Sequence, residues 1–150
     1  MTPARLPRLP IARKLRTFTG LSWAERLLTL EAAAHLVYFQ TSLRAAKPTR
    51  WMNTPAIART RIASPAEIAA IRRAVLRASR NFPGGVKCLP QALAARAMLA
   101  RRGVTAQLKI AARTAPSPAD RFHAWLELGG VQMTGVCDES QYRVFGYTSN

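Results

Sequence analysis

Three stretches of the chain carry apolar residues at helical spacing, and the first begins at Ser22. Ser22-Trp23-Ala24-Glu25 has the composition of a capping box, in which the serine and glutamate side chains each bond the other residue's backbone N–H. A helix is therefore predicted from Ser22 to about Arg44. Its apolar residues lie nearly all around the helix axis, which predicts burial on several sides by this domain, a partner or lipid.

The second and third helical stretches also have defined starts and ends. Ser64-Pro65-Ala66-Glu67 is a second capping box with proline at the first helical position, and the apolar stripe that follows it ends at Asn81. The third predicted helix begins at Cys88, runs to Arg102 and is ended by Gly103. Residues 47–64, which separate the first two helices, contain two prolines and are predicted to form a long connection.

After Gly103 the hydrophobic period changes from helical to alternating. Thr105–Ala111 and Phe122–Leu128 alternate polar and apolar residues, as strands with one buried face do. Gly129-Gly130 can turn the second strand back into Val131–Val136. Helices followed by a small antiparallel sheet make an α+β fold the expected class.

Length and composition predict a single globular domain behind a basic arm. The chain has 150 residues, of which 49% are hydrophobic, enough apolar material for one packed core. Residues 1–21 hold three prolines and several arginines, so they are expected to form a flexible arm. The domain is expected to cover residues 22–150.

The charge is strongly positive, with 23 Lys and Arg against 7 acids and a formal net charge of +16. Such a surface attracts polyanions, which include nucleic acid, anionic lipid and acidic peptides or proteins. Nucleic acid is not expected, because aromatic residues do not alternate with the arginines and no zinc-finger spacing is present. The apolar stretch Leu27–Phe39 is interrupted by Glu31 and His35 and is too short to cross a bilayer, but it leaves peripheral membrane contact open.

Two cysteines are too few for a disulfide framework, so a reducing, cytoplasmic location is expected. Cys88, Cys137, His35 and His123 could nominally bind a metal, but structural zinc ligands come in close pairs and no such pair occurs here. Neither a metal nor another cofactor is expected.

Cys88 and His123 are the candidate catalytic pair. Cys88 lies in the first turn of a predicted helix, where backbone N–H groups and the helix dipole favour a thiolate and could hold an oxyanion. His123 opens a predicted strand, where it can face the end of a helix packed on that sheet. A cysteine within hydrogen-bonding reach of a histidine is the basic unit of thiol catalysis. Gly84 and Gly85 would let a substrate backbone approach the thiol.

A third group is expected to orient the far ring nitrogen of His123. If Gly129-Gly130 is the centre of a hairpin, His123 pairs near Val136, and Asp138 follows on the same face. Asp138 is therefore the first candidate. Glu127 is a weaker one, because four residues along a strand place it about 13 Å away.

Two separated motifs carry a resemblance to a known family. They are Cys88-Leu89-Pro90-Gln91-Ala92-Leu93-Ala94, ended by Arg101-Arg102-Gly103, and His123-Ala124-Trp125-Leu126-Glu127 with two glycines following. With Asn81-Phe82-Pro83 and the earlier hydrophobic helix, residues 22–137 resemble the transglutaminase-like leader peptidases of lasso-peptide biosynthesis.

The resemblance implies a papain/transglutaminase-like fold and a Cys-His-Asp protease. Such an enzyme removes the leader from a ribosomally made precursor peptide so that a separate cyclase can close the ring. It also implies a small leader-recognition protein as partner, and substrate contacts at Gly84, Gly85, Gln91 and Trp125. The family has an acid on the strand after His123, whereas this chain has none before Asp138.

Two other functions remain open from the sequence. The same Cys-His pair could transfer an acyl group to an amine instead of water, as transglutaminases do. Alternatively, the chain could be a non-catalytic basic module. In the protease interpretation, the arginine-rich surface that includes Arg72, Arg73, Arg77, Arg101 and Arg102 docks an acidic leader or its recognition protein.

Overall fold

A computed structural model describes residues 18–45, 61–115 and 121–148. Most of the predicted basic arm and of the predicted connection at 47–64 lies outside these residues. Helix α1 spans Trp23–Ala45, α2 spans Pro65–Arg80 and α3 spans Cys88–Ala100. All three predicted helices are confirmed, with ends within two residues of expectation.

The two predicted capping boxes differ in how completely they form. At the first, the Ser22 N–H donates to Glu25 Oε2 over 3.0 Å, and the Glu25 N–H donates to Ser22 Oγ over 3.3 Å. At the second, Ser64 Oγ accepts from the Glu67 N–H over 3.2 Å. The Glu67 carboxylate, however, pairs with Arg61 at 2.6 Å. The Glu67 carboxylate thus bonds the Arg61 guanidinium, whereas in a complete capping box it would accept from the Ser64 N–H.

Four strands form one antiparallel sheet in the order β3-β2-β1-β4. Strand β1 spans Gln107–Arg113, β2 spans Phe122–Leu128 and β3 spans Val131–Thr134. A short 3-10 helix at Glu139–Gln141 then leads into β4, Tyr142–Thr148, which was not predicted. The predicted glycine turn is confirmed, since Gly129 and Gly130 have φ values of 58° and 79°, as a two-residue type I′ turn requires. The α+β class is confirmed.

Helix α3 lies at the centre of the molecule, between the other two helices and the sheet. Its residues Met98 and Leu99 are buried against Leu36 of α1 and Ile71 of α2, and the sheet adds Leu126 to the same core. A run of small residues, Ala92 and 94–95, lets neighbouring elements approach α3 closely. Helix α3, which begins at Cys88, thus packs on strand β2 of the sheet.

Helix α1 is covered on one side within the described residues. Thr29, Ala32, Leu36 and Phe39 face inward, towards α2 and α3. This domain covers α1 on one side only, and five large apolar side chains face solvent, where a partner or lipid would have to cover them: Trp23, Leu27, Leu30, Val37 and Tyr38. Of the helices in the described ranges, none has an apolar stretch long enough to cross a membrane.

Candidate active site

Cys88 is the first residue of α3, as the sequence predicts. The preceding Lys87 has an extended backbone and makes no side-chain capping bond to the helix, and the first turn contains no acidic residue. Lys87 therefore leaves the first-turn N–H groups of α3 uncapped, and such groups can bind a developing oxyanion. The Cys88 side chain is half-buried.

The turn before Cys88 is built around Gly84 and Gly85, whose φ values are 76° and 75°. Both glycines are exposed, and a Cβ at either would meet nothing within 4 Å. Gln91 holds the other end of this segment, because its side-chain nitrogen donates to the Val86 carbonyl over 2.8 Å. Gly84 and Gly85 thus leave open space beside the start of α3, while Gln91 fastens the turn.

His123 lies near the start of β2, as predicted, and is half-buried. Its Nε2 is 2.8 Å from the main-chain carbonyl oxygen of Gly135. The ring packs against Trp125, with centroids 6.1 Å apart, and against Tyr142 of β4, with centroids 5.4 Å apart. Sequence reasoning missed Tyr142, although Tyr142–Thr148 is rich in aromatic and β-branched residues that favour strands.

Trp125 was expected to contact substrate, but in the structure its side chain lies in the interior. Its side chain is fully buried, with 0% exposure, and it packs beside His123 and Tyr142. Lys109 Nζ lies 5.9 Å from the ring centroid. In this structure the Trp125 ring therefore contacts the His123 ring and not solvent.

Neither predicted carboxylate bonds His123. Asp138 caps the 3-10 helix: its carboxylate accepts from the Ser140 N–H at 3.1 Å, from Ser140 Oγ at 2.7 Å and from Gln141 Nε2 at 3.2 Å. These donors, led by the Ser140 hydroxyl, lower the pKa of Asp138. Glu127 pairs with Lys109.

Asp138 was predicted to orient His123 but does not contact it, and the cause lies in the pairing of β2 with β3. The prediction assumed an unbroken ladder from Gly129-Gly130, but the register shifts between Leu126 and Glu127. A one-residue shift exchanges the two faces of a strand beyond it, so alternation no longer assigns Asp138 to the face of His123. Strand β3 also ends at Thr134, two residues earlier than predicted.

Cys88 and His123 lie on two elements that pack against each other, without a direct bond between the two side chains. Helix α3 packs on β2, which carries His123. Within residues 18–45, 61–115 and 121–148, no hydrogen bond joins the Cys88 thiol to the His123 ring. Catalytic hydrogen bonds of ligand-free enzymes are often long and tighten when substrate binds.

Cys137, whose role the sequence left open, lies near this site as well. Burial, followed by the carboxylate of Glu139, raises the pKa of the Cys137 thiol, and Cys88 contributes to the same rise. A raised pKa keeps Cys137 as a thiol, which is a poor nucleophile. Cys137 is therefore a poor candidate for the nucleophile. Among the described residues no three His, Cys, Asp or Glu side chains are grouped to hold a metal ion.

Residues 26–146 match a family model described as the transglutaminase-like superfamily. The matched segment includes both Cys88 and His123 and runs from the first turn of α1 into β4. No match was found among curated proteins or among solved structures.

Proposed function

The chain belongs to the transglutaminase-like superfamily, and from this premise we propose that it is a cysteine peptidase with Cys88 as nucleophile and His123 as base. The observation that supports the proposal best is the placement of the two residues. Cys88 begins the central helix, this helix packs on β2, and His123 lies on β2 with its Nε2 fixed.

The chemistry follows the general thiol scheme. The Cys88 thiolate attacks the scissile carbonyl, and N–H groups at the start of α3 stabilise the tetrahedral oxyanion. The His123 imidazolium gives its proton to the leaving amine. The neutral ring then takes a proton from water, which attacks the thioester carbonyl. The acyl group leaves as the acid, and the Cys88 thiolate and His123 imidazolium are regenerated.

The proposed substrate is a ribosomally made lasso precursor peptide, cut between leader and core. The support is the pair of motifs that resemble lasso leader peptidases, at Cys88–Ala94 and His123–Glu127. A separate cyclase would then use the freed amine of the core.

A small leader-recognition protein is the proposed partner, and α1 offers it a surface. Exposed apolar residues run along this helix, and Trp23 at one end is 71% exposed. Arg73 lies beside the start of α1, because it contributes, after Ser22 and Arg77, to lowering the pKa of Glu25. An apolar face beside arginines fits a partner that presents apolar and acidic groups.

The predicted docking arginines divide into two groups in the structure. Arg77 bonds Thr29 and pairs with Glu25, while Arg101 and Arg102 pair with Glu31. Those three already neutralise acids of α1. In the described parts of the chain Arg72 and Arg73 are exposed and make no ion pair. Of the five arginines, these two are therefore the ones proposed to contact acidic groups of the partner.

The decisive experiment incubates the full chain with a lasso precursor peptide, with and without a leader-recognition protein, and analyses the products by mass spectrometry. We expect two peptides from the unaltered protein. Cys88→Ala and His123→Ala should abolish cleavage with an unchanged circular dichroism spectrum.

Other products would exclude the proposal. A single modified product would assign acyl transfer to an amine. Continued cleavage by Cys88→Ala would remove the thiol mechanism altogether.

A further inference from the structure

We infer that the group orienting His123 is the main-chain carbonyl of Gly135, in place of the carboxylate of Asp138 or Glu127. The inference rests on the proposed function, in which His123 acts as the base for Cys88. Its direct support is the 2.8 Å contact between His123 Nε2 and Gly135 O. Within the described ranges no carboxylate bonds the ring.

A carbonyl oxygen decides which ring nitrogen carries the proton. It can only accept a hydrogen bond, so His123 Nε2 must be the N–H donor in this contact. The neutral ring then has its lone pair on Nδ1. This nitrogen accepts the Cys88 thiol proton and later delivers it to the leaving amine, while Nε2–H stays bonded to Gly135 throughout.

The backbone at Gly135 reaches this position because residue 135 has no side chain. Its φ is +66°, a conformation that favours glycine, and an ideal Cβ there would lie 2.4 Å from the Ala124 carbonyl oxygen and 3.2 Å from Trp125 Cβ. The main chain of Gly135 therefore lies directly against β2. An acidic residue at 135 could not adopt this backbone without moving the strand.

Contacts on both sides of Gly135 hold the carbonyl in place. Before it, Thr134 pairs with Leu126. After it, the Cys137 N–H donates to Gln132 Oε1 over 2.8 Å, and Gln132 Nε2 donates to Glu139 Oε1 over 2.9 Å. The Gln132 side chain thus fastens the far end of the segment back onto β3. Fixed donors and acceptors of this kind orient a catalytic side chain without reorganisation during the reaction.

The hydrogen bond that the carbonyl accepts is weaker than one to an ionised carboxylate. Hydrogen bonds to ionised groups are about twice as strong as neutral ones, so the carbonyl stabilises an imidazolium less. Its contribution is therefore orientation and choice of tautomer. A carbonyl also does not titrate near neutral pH, so Gly135 O adds no titration of its own to the pH profile of the reaction.

The first test observes the ring directly in the uniformly 15N-labelled full chain. The protein contains only two histidines, so His123 is assigned by comparison with His123→Gln. We expect an Nε2–H proton protected from solvent exchange and, wherever the ring is neutral, an unprotonated Nδ1. A neutral ring with its proton on Nδ1, or an Nε2–H that exchanges freely, would overturn the inference. Gln132→Ala should speed exchange of Nε2–H, because the loop that carries Gly135 O is then released.

The second test measures the reaction of Cys88 with iodoacetamide across pH, with the modified peptide quantified by mass spectrometry so that Cys137 does not interfere. Asp138→Asn keeps an oxygen to accept from Ser140 and should react within about threefold of the unaltered protein, as should Glu127→Gln. His123→Gln should slow the reaction near neutral pH by about tenfold or more.

The two proposals fail differently. A loss of two orders of magnitude or more in Asp138→Asn would assign the orienting role to that carboxylate, as loss of a triad acid does. If the spectra and alkylation rates follow expectation but no precursor is cut, the peptidase proposal fails while the Gly135 assignment stands.

Discussion

At the scale of single residues, Gly135 and Gly129 share a left-handed backbone but differ in their surroundings. Their φ values are 66° and 58°, yet a Cβ at Gly135 would lie 2.4 Å from the Ala124 carbonyl oxygen, whereas one at Gly129 would meet nothing within 4 Å. The difference separates the cost of the backbone conformation from the cost of a steric clash.

Gly135→Ala should therefore destabilise the protein by about 2–4 kcal/mol, because strand β2 must move away. Gly129→Ala, the matched control, should cost about 1 kcal/mol from the backbone conformation alone. Urea denaturation measures both. Equal losses would show that the Gly135 main chain does not press against β2.

At the scale of whole elements, α1 is joined to the two residues that follow α3 by a carboxylate with two arginine partners. Arg102 Nη1 and Nη2 donate to the two oxygens of Glu31 over 3.0 and 2.7 Å, and Arg102 Nη1 also donates to the Met98 carbonyl. Arg101 Nε lies 3.4 Å from Glu31. The Arg102 hydrogen bond leads the causes that hold the pKa of Glu31 below its ordinary value of 4.5, in opposition to burial.

Glu31→Gln should lower the free energy of unfolding by about 1–2 kcal/mol at neutral pH, a value reduced by the part of the pair that remains exposed. Because the folded-state pKa of Glu31 is depressed, its contribution is present above 4.5 and is lost as the pH falls through the folded pKa. The stability difference between variant and unaltered protein should thus shrink in acid.

Glu67→Gln is the control for this pair. The side chain of its partner Arg61 is 50% exposed. This second ion pair should therefore contribute less to the free energy of unfolding than the Glu31 pair. Urea unfolding at several pH values measures both variants. A Glu31→Gln effect that is constant down to the most acidic pH would contradict the ionic origin of the link.

At the scale of the whole molecule, the surface combines the net charge of +16 with the apolar face of α1. Leu30 lies on that face, and its side chain is 57% exposed. Val131 is similarly exposed, at 68%, but it lies at the β2–β3 turn. Substitutions at the two positions distinguish binding at a specific face of α1 from nonspecific hydrophobic contact.

Leu30→Ser should weaken binding of the small recognition protein by about tenfold, as loss of an interface anchor does. Val131→Ser should leave binding unchanged, and both variants should keep the stability of the unaltered protein. Arg72→Ser with Arg73→Ser should slow association and reduce its salt dependence. Calorimetry and stopped-flow kinetics measure these effects.

Two outcomes would contradict this docking surface. Equal loss in the Leu30 and Val131 variants would remove the specific role of α1. Unchanged protein binding with reduced retention on anionic vesicles would reassign the face to lipid.

The sequence by itself determined the three helices, the first three strands and the two residues proposed for chemistry, because these follow from local rules. Ser22 and Glu25 set a helix start, the Gly129-Gly130 turn fixed a hairpin, and Cys88 was placed at a helix N-terminus by the residues around it. Each of these features is decided within a few residues along the chain.

Only the tertiary structure decided what surrounds His123. The register shift at Leu126 and Glu127, the approach of Gly135 to β2 and the packing of Tyr142 from the unpredicted β4 all depend on strands meeting across the sheet. Alternation along one strand cannot reveal a bulge in its pairing, because one extra residue exchanges the faces without changing the local pattern. A backbone carbonyl also has no signature in sequence, so the partner of His123 became visible only in three dimensions.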